Sequence, residues 1–165
     1  MQHFDVNIRP IEGKDNAILA QLIRQSLEHY HLDLPGTSYT DPQLDHLFEH
    51  YQQQERSAYF VLAEGQQILG CGGYGQIQEG FPVAELQKLY LKQEALHQGL
   101  GRRLFDHICQ AARLAGYQQL YLESSSKLTD ALSFYQKIGF TTLTQPLAQM
   151  VGSHYTMDQW MILRL

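Results

Sequence analysis

Apolar and polar residues alternate with two different periods along the chain, and each change of period predicts a new element. Residues 4–9 alternate at period two up to Pro10, which predicts a first strand. Residues 15–30 carry apolar side chains at helical spacing before the breaker Pro35-Gly36, which predicts a first helix. The chain therefore begins as a strand followed by a helix.

The middle of the chain predicts one more helix and three strands. Asp41 is a suitable N-cap with Pro42 at the first helical position, so a second helix is expected from Asp41, fading over residues 51–54. Strand patterns follow at residues 59–63, 67–74 and 83–91, the first two joined by a tight turn.

The rest of the chain continues as helix, strand, helix and two strands. A helix is expected from Gly99 to Gly116, and another over residues 128–138. Strands are expected at residues 119–123, 140–143 and 157–165. This order predicts a single α/β domain over residues 1–165, with a central mixed sheet of about seven strands flanked by four helices.

Composition and charge restrict the function classes. Hydrophobic residues make up 44% and charged residues 18%, which is typical of a folded domain. The net charge of −5 argues against nucleic acid as a partner, since such binding needs a basic surface. The sequence shows neither a signal-peptide pattern nor an apolar run of bilayer length, so we expect a cytoplasmic protein without a membrane partner. Cys71 and Cys109 are expected to be reduced core thiols.

The most informative motif is Gly99-Leu100-Gly101-Arg102-Arg103, eight residues after the strand pattern 83–91. A glycine-marked turn between a strand and a helix points free backbone N–H groups at an anion. Arg102 and Arg103 oppose the helix dipole there unless a bound anion compensates them. The motif therefore predicts a phosphate site.

This motif, together with Ala131-Leu132-Ser133-Phe134-Tyr135-Gln136-Lys137-Ile138-Gly139-Phe140, resembles two signatures of the GNAT (GCN5-related) N-acetyltransferase superfamily. The Glu-Leu-x-Lys-x-Tyr strand pattern that begins at Glu85 and the ending His154-Tyr155-Thr156-Met157-Asp158-Gln159-Trp160-Met161 are also similar to a bacterial subgroup whose acceptor is unassigned. Three positions depart from the family pattern. Leu96 replaces the usual Arg or Gln, His97 replaces a glycine, and Leu128 replaces an asparagine. We expect cofactor binding to survive with a somewhat different loop conformation.

The resemblance implies a transferase that moves the acetyl group of acetyl-CoA directly to a primary amine in a ternary complex, without a metal. Backbone groups of Leu89, Tyr90 and Leu91 would pair with pantetheine like an added strand. The diphosphate would rest on the loop and the first helical turn, formed by His97, Gln98, Gly99, Leu100, Gly101 and Arg102.

The resemblance also suggests the catalytic residues. Tyr135 matches the family's general acid, although its helical face also suits a packed core aromatic. Glu85 is the candidate base, directly or through water, on a strand whose odd-numbered residues from Val83 to Leu91 are expected to share one face. Glu123, His154 and Asp158 are candidates for the acceptor site.

Alternatives to this interpretation remain open. His46-Leu47-Phe48-Glu49-His50 fits the inverzincin pattern H-x-x-E-H, but helical spacing turns both histidines to solvent, away from the buried face. The glycines of residues 70–75 are expected to permit close approach to the sheet rather than to form a nucleotide loop. A non-catalytic acetyl-CoA sensor is the main rival. The final strand could pair across a homodimer or stay internal.

Overall fold

The computed structural model describes residues 5–165 and contains one seven-stranded sheet with four α-helices. Phe4, which the sequence pattern places in the first strand, lies outside the described residues. The strands are β1 (Val6–Pro10), β2 (Ala58–Glu64), β3 (Gln67–Gln76), β4 (Val83–Leu91), β5 (Gln119–Ser124), β6 (Thr141–Leu143) and β7 (Gln159–Arg164). The helices are α1 (Asn16–His29), α2 (Leu47–Gln53), α3 (Leu100–Leu114) and α4 (Thr129–Lys137). The predicted fold class and element order are confirmed.

The strands lie in the order β1-β2-β3-β4-β5-β7-β6, and every neighbouring pair is antiparallel except β4 and β5. Two apolar clusters form the core. Leu104, Ile108 and Phe140 belong to the cluster that includes α3, and Leu19 and Leu47 belong to the one that includes α1 and α2. The sheet is therefore buried between helices, as a strand pattern rich in apolar residues on both faces requires.

The parallel pair β4 and β5 is joined over a short distance only. Val83, Ala84 and Glu85 pair with residues 119–121, whereas β4 runs on to Leu91. Beyond Glu85, β4 is bonded to β3 on one side and has no strand on the other among the described residues. The two strands thus diverge and leave one edge of β4 open.

A bulge at Lys88 interrupts the alternation of β4. Lys88 has a φ of +48°, and the β3–β4 register shifts between Cys71 and Gly73. The extra residue moves Leu89 and Leu91 into the cluster with α3, while Tyr90 packs with the cluster on the opposite face. The expectation that odd-numbered residues share one face along the whole strand is therefore wrong beyond the bulge.

The second helix begins later than the sequence predicts. Asp41 is extended (φ −62°, ψ 128°) and follows a 3₁₀ turn at Ser38–Thr40, a second 3₁₀ turn spans Leu44–His46, and α2 begins only at Leu47. The prediction of a helix capped by Asp41 is wrong because that carboxylate serves a tertiary contact instead of the helix end.

The final strand is internal. β7 begins at Gln159, two residues later than predicted, and pairs with β5 on one side and β6 on the other. The outer strands of the sheet are β1 and β6, so an exposed edge at β7 is not available for pairing across a dimer. Within residues 5–165, no helix combines the length and the apolar character needed to cross a membrane.

Candidate functional site

A cavity of about 460 Å³ lies between the diverging strands β4 and β5 and the first turns of α3 and α4. It brings together most of the residues that the sequence singled out. Those in its lining are Glu85, Leu89, Tyr90, Leu91, His97, Gly99, Gly101, Arg102, Glu123, Tyr135 and His154. Gln98, Leu100 and Asp158 are not part of the lining.

The turn before α3 is built from two left-handed residues. His97 has a φ of +60° and Gly99 a φ of +76°, and Gly99 is the N-cap of α3. A Cβ on Gly99 would meet nothing within 4 Å, so the backbone there faces open space. His97 holds a conformation that glycine adopts more readily, which is how the loop accommodates this departure from the family pattern.

The two arginines of this turn are not equivalent. Arg102 Nε lies 2.9 Å from Asp106 one turn along the helix, in an exposed pair. Within residues 5–165, Arg103 forms no ion pair. The expectation that both arginines lack a compensating charge without a bound anion is therefore wrong for Arg102. The case for an anion site there depends on the backbone geometry and on Arg103.

Tyr135 lies on α4 with its side chain 8% exposed. Its ring packs edge-on against Phe134 and Phe140, with centroids 5.6 Å and 5.5 Å away. The hydroxyl has no hydrogen-bond partner among the described residues, and burial raises its pKa well above the ordinary value. Tyr135 therefore combines a packed ring with a protonated hydroxyl at the wall of the cavity.

Glu85 occupies the point where β4 and β5 diverge, and it is only 8% exposed. Gln87 Nε2 donates a 2.7 Å hydrogen bond to Glu85 Oε1, and the Tyr51 hydroxyl donates to Gln87 Oε1. Burial raises the pKa of Glu85, and this outweighs the lowering by Gln87. A carboxylate with a raised pKa is a better proton acceptor than an exposed one.

Glu123, on β5, is a second carboxyl group in the same cavity. The Tyr121 hydroxyl donates to its Oε2 at 2.9 Å, whereas its Oε1 is shielded from water and has no partner among the described residues. Burial raises the pKa of Glu123. Because an unsatisfied buried polar group costs about 1–3 kcal/mol, this oxygen indicates a place for a ligand donor.

Three charged side chains beside these carboxyl groups form a network that the sequence analysis missed in part. Asp41 Oδ2 lies 2.7 Å from Lys88 Nζ, and Asp41 Oδ1 lies 2.9 Å from His154 Nε2. Burial alone would raise the pKa of Asp41, but the bonds to His154 and Lys88 lower it to about 2. The bond to Asp41 raises the pKa of His154 against the effect of burial. The available signal in the sequence was Lys88, the single cationic residue of β4.

Asp158 has a local structural role. Its carboxylate accepts from the Ser126 backbone N–H at 2.7 Å and from the Ser126 hydroxyl at 2.7 Å, and its own N–H donates to Ser124. These bonds hold the segment after β5 against the start of β7. The structure therefore places Asp158 outside the cavity, unlike the other two acceptor-site candidates.

The remaining chemistry-bearing residues lie elsewhere. Among residues 5–165, no group of three His, Cys, Asp or Glu could hold a metal ion. His46 is exposed, but His50 is half-buried with its ring edge-on to Tyr51, so the expectation that both histidines face solvent is wrong for His50. Cys71 and Cys109 are buried free thiols, as predicted, and burial raises their pKa values to about 12 and about 11.

The glycines of β3 permit close approach of the neighbouring strands, as predicted. A Cβ on Gly73 would lie 2.1 Å from the Ala58 carbonyl oxygen of β2, and one on Gly72 would lie 2.7 Å from Leu89 on β4. Neither position has room for a side chain.

Comparison with known proteins gives a consistent result. The model of the acetyltransferase (GNAT) family matches residues 24–140. An uncharacterised N-acetyltransferase of Escherichia coli, YjgM, is 31% identical over 135 residues, which cover 81% of this chain and 80% of YjgM.

Two solved structures share the fold. A GNAT-family acetyltransferase from Staphylococcus aureus superposes with a TM-score of 0.83 at 16% identity, covering 98% of this chain and 99% of that one. The PaiA N-acetyltransferase of Thermoplasma acidophilum, solved with coenzyme A, gives a TM-score of 0.77 at 20% identity, covering 98% and 99%. The chain therefore belongs to the GNAT acetyltransferase family and is an acyltransferase.

Proposed function

We propose that this protein transfers the acetyl group of acetyl-CoA directly to a primary amine, within a ternary complex held in the cavity between β4 and β5. The observation that carries the proposal is the open edge of β4 beyond Glu85, which leads to the left-handed turn at Gly99. An extended ligand with a diphosphate at one end suits that combination of a free strand edge and a helix N-terminus.

The cavity residues fit such a ligand. Leu89, Tyr90 and Leu91 are candidates to bond the pantetheine arm through their backbone, and all three line the cavity. The backbone of residues 97–102 is the candidate diphosphate site, because Gly99 leaves open space where a Cβ would project. The binding of coenzyme A by the PaiA structure, which shares the fold, supports this assignment.

The proposed chemistry needs one proton acceptor and one proton donor. The bound thioester supplies an activated acetyl group, whose carbonyl carbon gains a C–N bond as its C–S bond breaks. Glu85 accepts the proton that the amine loses, directly or through water, and its raised pKa suits this role. Tyr135 donates a proton to the departing sulfur, since its hydroxyl stays protonated at neutral pH and has no other partner among the described residues. Holding both groups at one cavity supplies orientation as well as proton transfer.

The test measures coenzyme A release from acetyl-CoA across a library of amines, with calorimetry of acetyl-CoA binding in parallel. Amine-dependent release supports the transferase. For Tyr135→Phe we expect turnover to fall by about one to three decades with little change in acetyl-CoA affinity, because the ring packing is retained and only the donor is lost. Unchanged turnover would remove Tyr135 from the mechanism.

Two other outcomes would contradict the proposal. Acetyl-CoA binding without release for any amine would favour a non-catalytic sensor, the alternative that the Leu96, His97 and Leu128 departures suggest. No heat and no thermal stabilisation with millimolar coenzyme A would reject the cavity as its site.

A further inference from the structure

The proposed reaction requires a single carboxylate, but three carboxyl groups line the cavity, those of Glu85, Glu123 and Asp130. Asp130 is exposed, whereas Glu85 is buried and Glu123 is half-buried. Glu123 Oε1 has no hydrogen-bond partner among the described residues and no contact with water, although the opposite oxygen accepts from Tyr121. Ser153 lies near enough to lower the pKa of Glu123, but Oε1 of Glu123 has no hydrogen bond to Ser153 or to any other described residue. A carboxylate oxygen left without a donor inside a cavity points to a donor that arrives with the ligand.

The neighbouring cations do not supply that donor. Lys88 Nζ and His154 Nε2 are both directed at Asp41, at 2.7 Å and 2.9 Å. The five ionisable side chains here carry one net negative charge when all three carboxyl groups are ionised and His154 is protonated. They are Glu85, Glu123, Asp41, Lys88 and His154. A ligand with an additional positive charge would neutralise this net charge.

The positions of the two carboxyl groups suit a ligand with two nitrogen centres. Glu85 is paired in register with Tyr121, and Glu123 lies two residues further along β5, on the same face of the sheet as Tyr121. Strand geometry places the Glu85 and Glu123 backbones about 8 Å apart, and divergence of the strands increases this distance. One carboxylate can therefore face the reacting nitrogen while the other binds a second group of the same molecule. Rotation about the last torsion of Glu123, which is soft, brings an oxygen to the entering donor.

We infer that Glu123 binds a second, non-reacting ammonium or guanidinium group of the acceptor, so that the preferred acceptors are amines that carry two positive charges. The inference rests on the proposed acetyl transfer at the same site and narrows it to one substrate class. An acceptor with a carboxylate at this position is disfavoured, since it would face Glu123 and Glu85.

The test uses a matched series of linear primary alkylamines, in which three to eight methylene groups separate the reacting amine from a distal ammonium, methyl or carboxylate group. Chain length and reacting amine are the same within each set, so only the charge of the distal group changes. For the wild-type protein we expect kcat/KM to rank ammonium first, methyl second and carboxylate last. A charged hydrogen bond of this kind gives a preference of about tenfold to a hundredfold at the best length. Aminoalkylguanidines extend the series to the guanidinium group.

Two variants assign the preference to one side chain. Glu123→Gln keeps the shape and hydrogen-bonding capacity but removes the charge, so KM for the diamine should rise about tenfold or more while the methyl analogue changes little. Glu79→Gln, at an exposed loop position outside the cavity, removes the same net charge and should leave KM unchanged for the diamine and for the methyl analogue. Calorimetric titration of the diamine into each protein gives the same comparison without turnover.

The failures of the two proposals are distinguishable. If coenzyme A is released with the methyl or carboxylate analogues but without a preference for diamines, the proposed acetyl transfer is supported and the role of Glu123 is rejected. Equal losses of kcat/KM for the diamine and the methyl analogue in Glu123→Gln would also reject this role, because the residue would then be acting on the reacting amine or on the fold. If no amine causes release of coenzyme A and no diamine binds, both proposals are rejected.

Discussion

The network of Asp41, Lys88 and His154 should contribute a measurable part of the stability, and Asp41→Asn tests it. The lowering of the Asp41 pKa from 3.8 to about 2 is the net effect of its two cationic partners against burial. Since each tenfold change in proton affinity is worth about 1.4 kcal/mol, the ionised form of Asp41 is favoured in the folded protein by about 2–3 kcal/mol. The variant also leaves Lys88, whose side chain is 6% exposed, as a buried cation without its partner.

We therefore expect Asp41→Asn to lower the free energy of unfolding at pH 6 by about 2–4 kcal/mol, with a fall in Tm of about 5–10 °C. Urea unfolding followed by circular dichroism measures the first quantity, and a thermal scan the second. The matched control is Asp45→Asn, which breaks an equally short pair with Arg24 at 2.7 Å, but one in which the aspartate is 56% exposed. An exposed pair contributes about 1 kcal/mol or less.

The stability that this network contributes should fall at both low and high pH. The pKa of Asp41 is lowered on folding, so its contribution is present above pH 3.8 and is lost as the pH falls towards 2. The pKa of His154 is raised, so its contribution is full below its ordinary value of 6.5 and is lost as the pH rises through the folded value. The difference between wild type and variant should therefore be largest between about pH 4 and pH 6.5.

Equal, small losses of unfolding free energy for Asp41→Asn and Asp45→Asn would refute this reasoning, because burial would then have no effect on how much an ion pair stabilises the protein. A second variant distinguishes the loss of the attraction from the cost of leaving the buried Lys88 ammonium unpaired. Adding Lys88→Met to Asp41→Asn should recover part of the stability if the unpaired cation is the cost. No recovery would assign the loss to the bond with His154.

Three further predictions concern the loop, the sheet and the base. Gly99→Val should weaken acetyl-CoA binding, measured by calorimetry, whereas Gly80→Val places a side chain at a similar φ of +74° in open space and should leave binding unchanged; equal effects would argue against a ligand at the loop. Gly73→Ala should lower the unfolding free energy by about 4 kcal/mol or more, since its Cβ would lie 2.1 Å from the Ala58 carbonyl oxygen; a near-normal Tm would contradict this close approach. Glu85→Gln should reduce kcat and remove the acidic limb of the pH–rate profile, which its raised pKa places above pH 4.5; an unchanged limb would assign the base elsewhere.

The sequence predicted the regular elements well because their signals are local. The period-two strands and the amphipathic helix after Gly99 follow from side-chain direction alone, and the glycines at 99, 116 and 139 stand where the structure has positive φ values. The two signatures likewise located the cavity, since most of the predicted residues line it.

The failures occurred where a distant contact overrides a local preference. Asp41 has the sequence context of an N-cap, but its carboxylate binds Lys88 and His154, residues 47 and 113 positions away along the chain. Strand alternation assigned Leu89 to the face of Glu85, but the bulge at Lys88 reverses it. The local sequence pattern shows neither the pairing of Asp41 with such distant residues nor the position of the bulge.

What the sequence by itself determined is the order of elements, the fold class and the family, because periodicity, turn residues and short motifs depend on neighbours along the chain. Only the tertiary structure decided where β4 and β5 separate, which face of the strand each side chain occupies, and that Glu123 has an oxygen without a donor. These properties arise from burial and from pairing between residues far apart in sequence, and a buried charge is defined by what surrounds it.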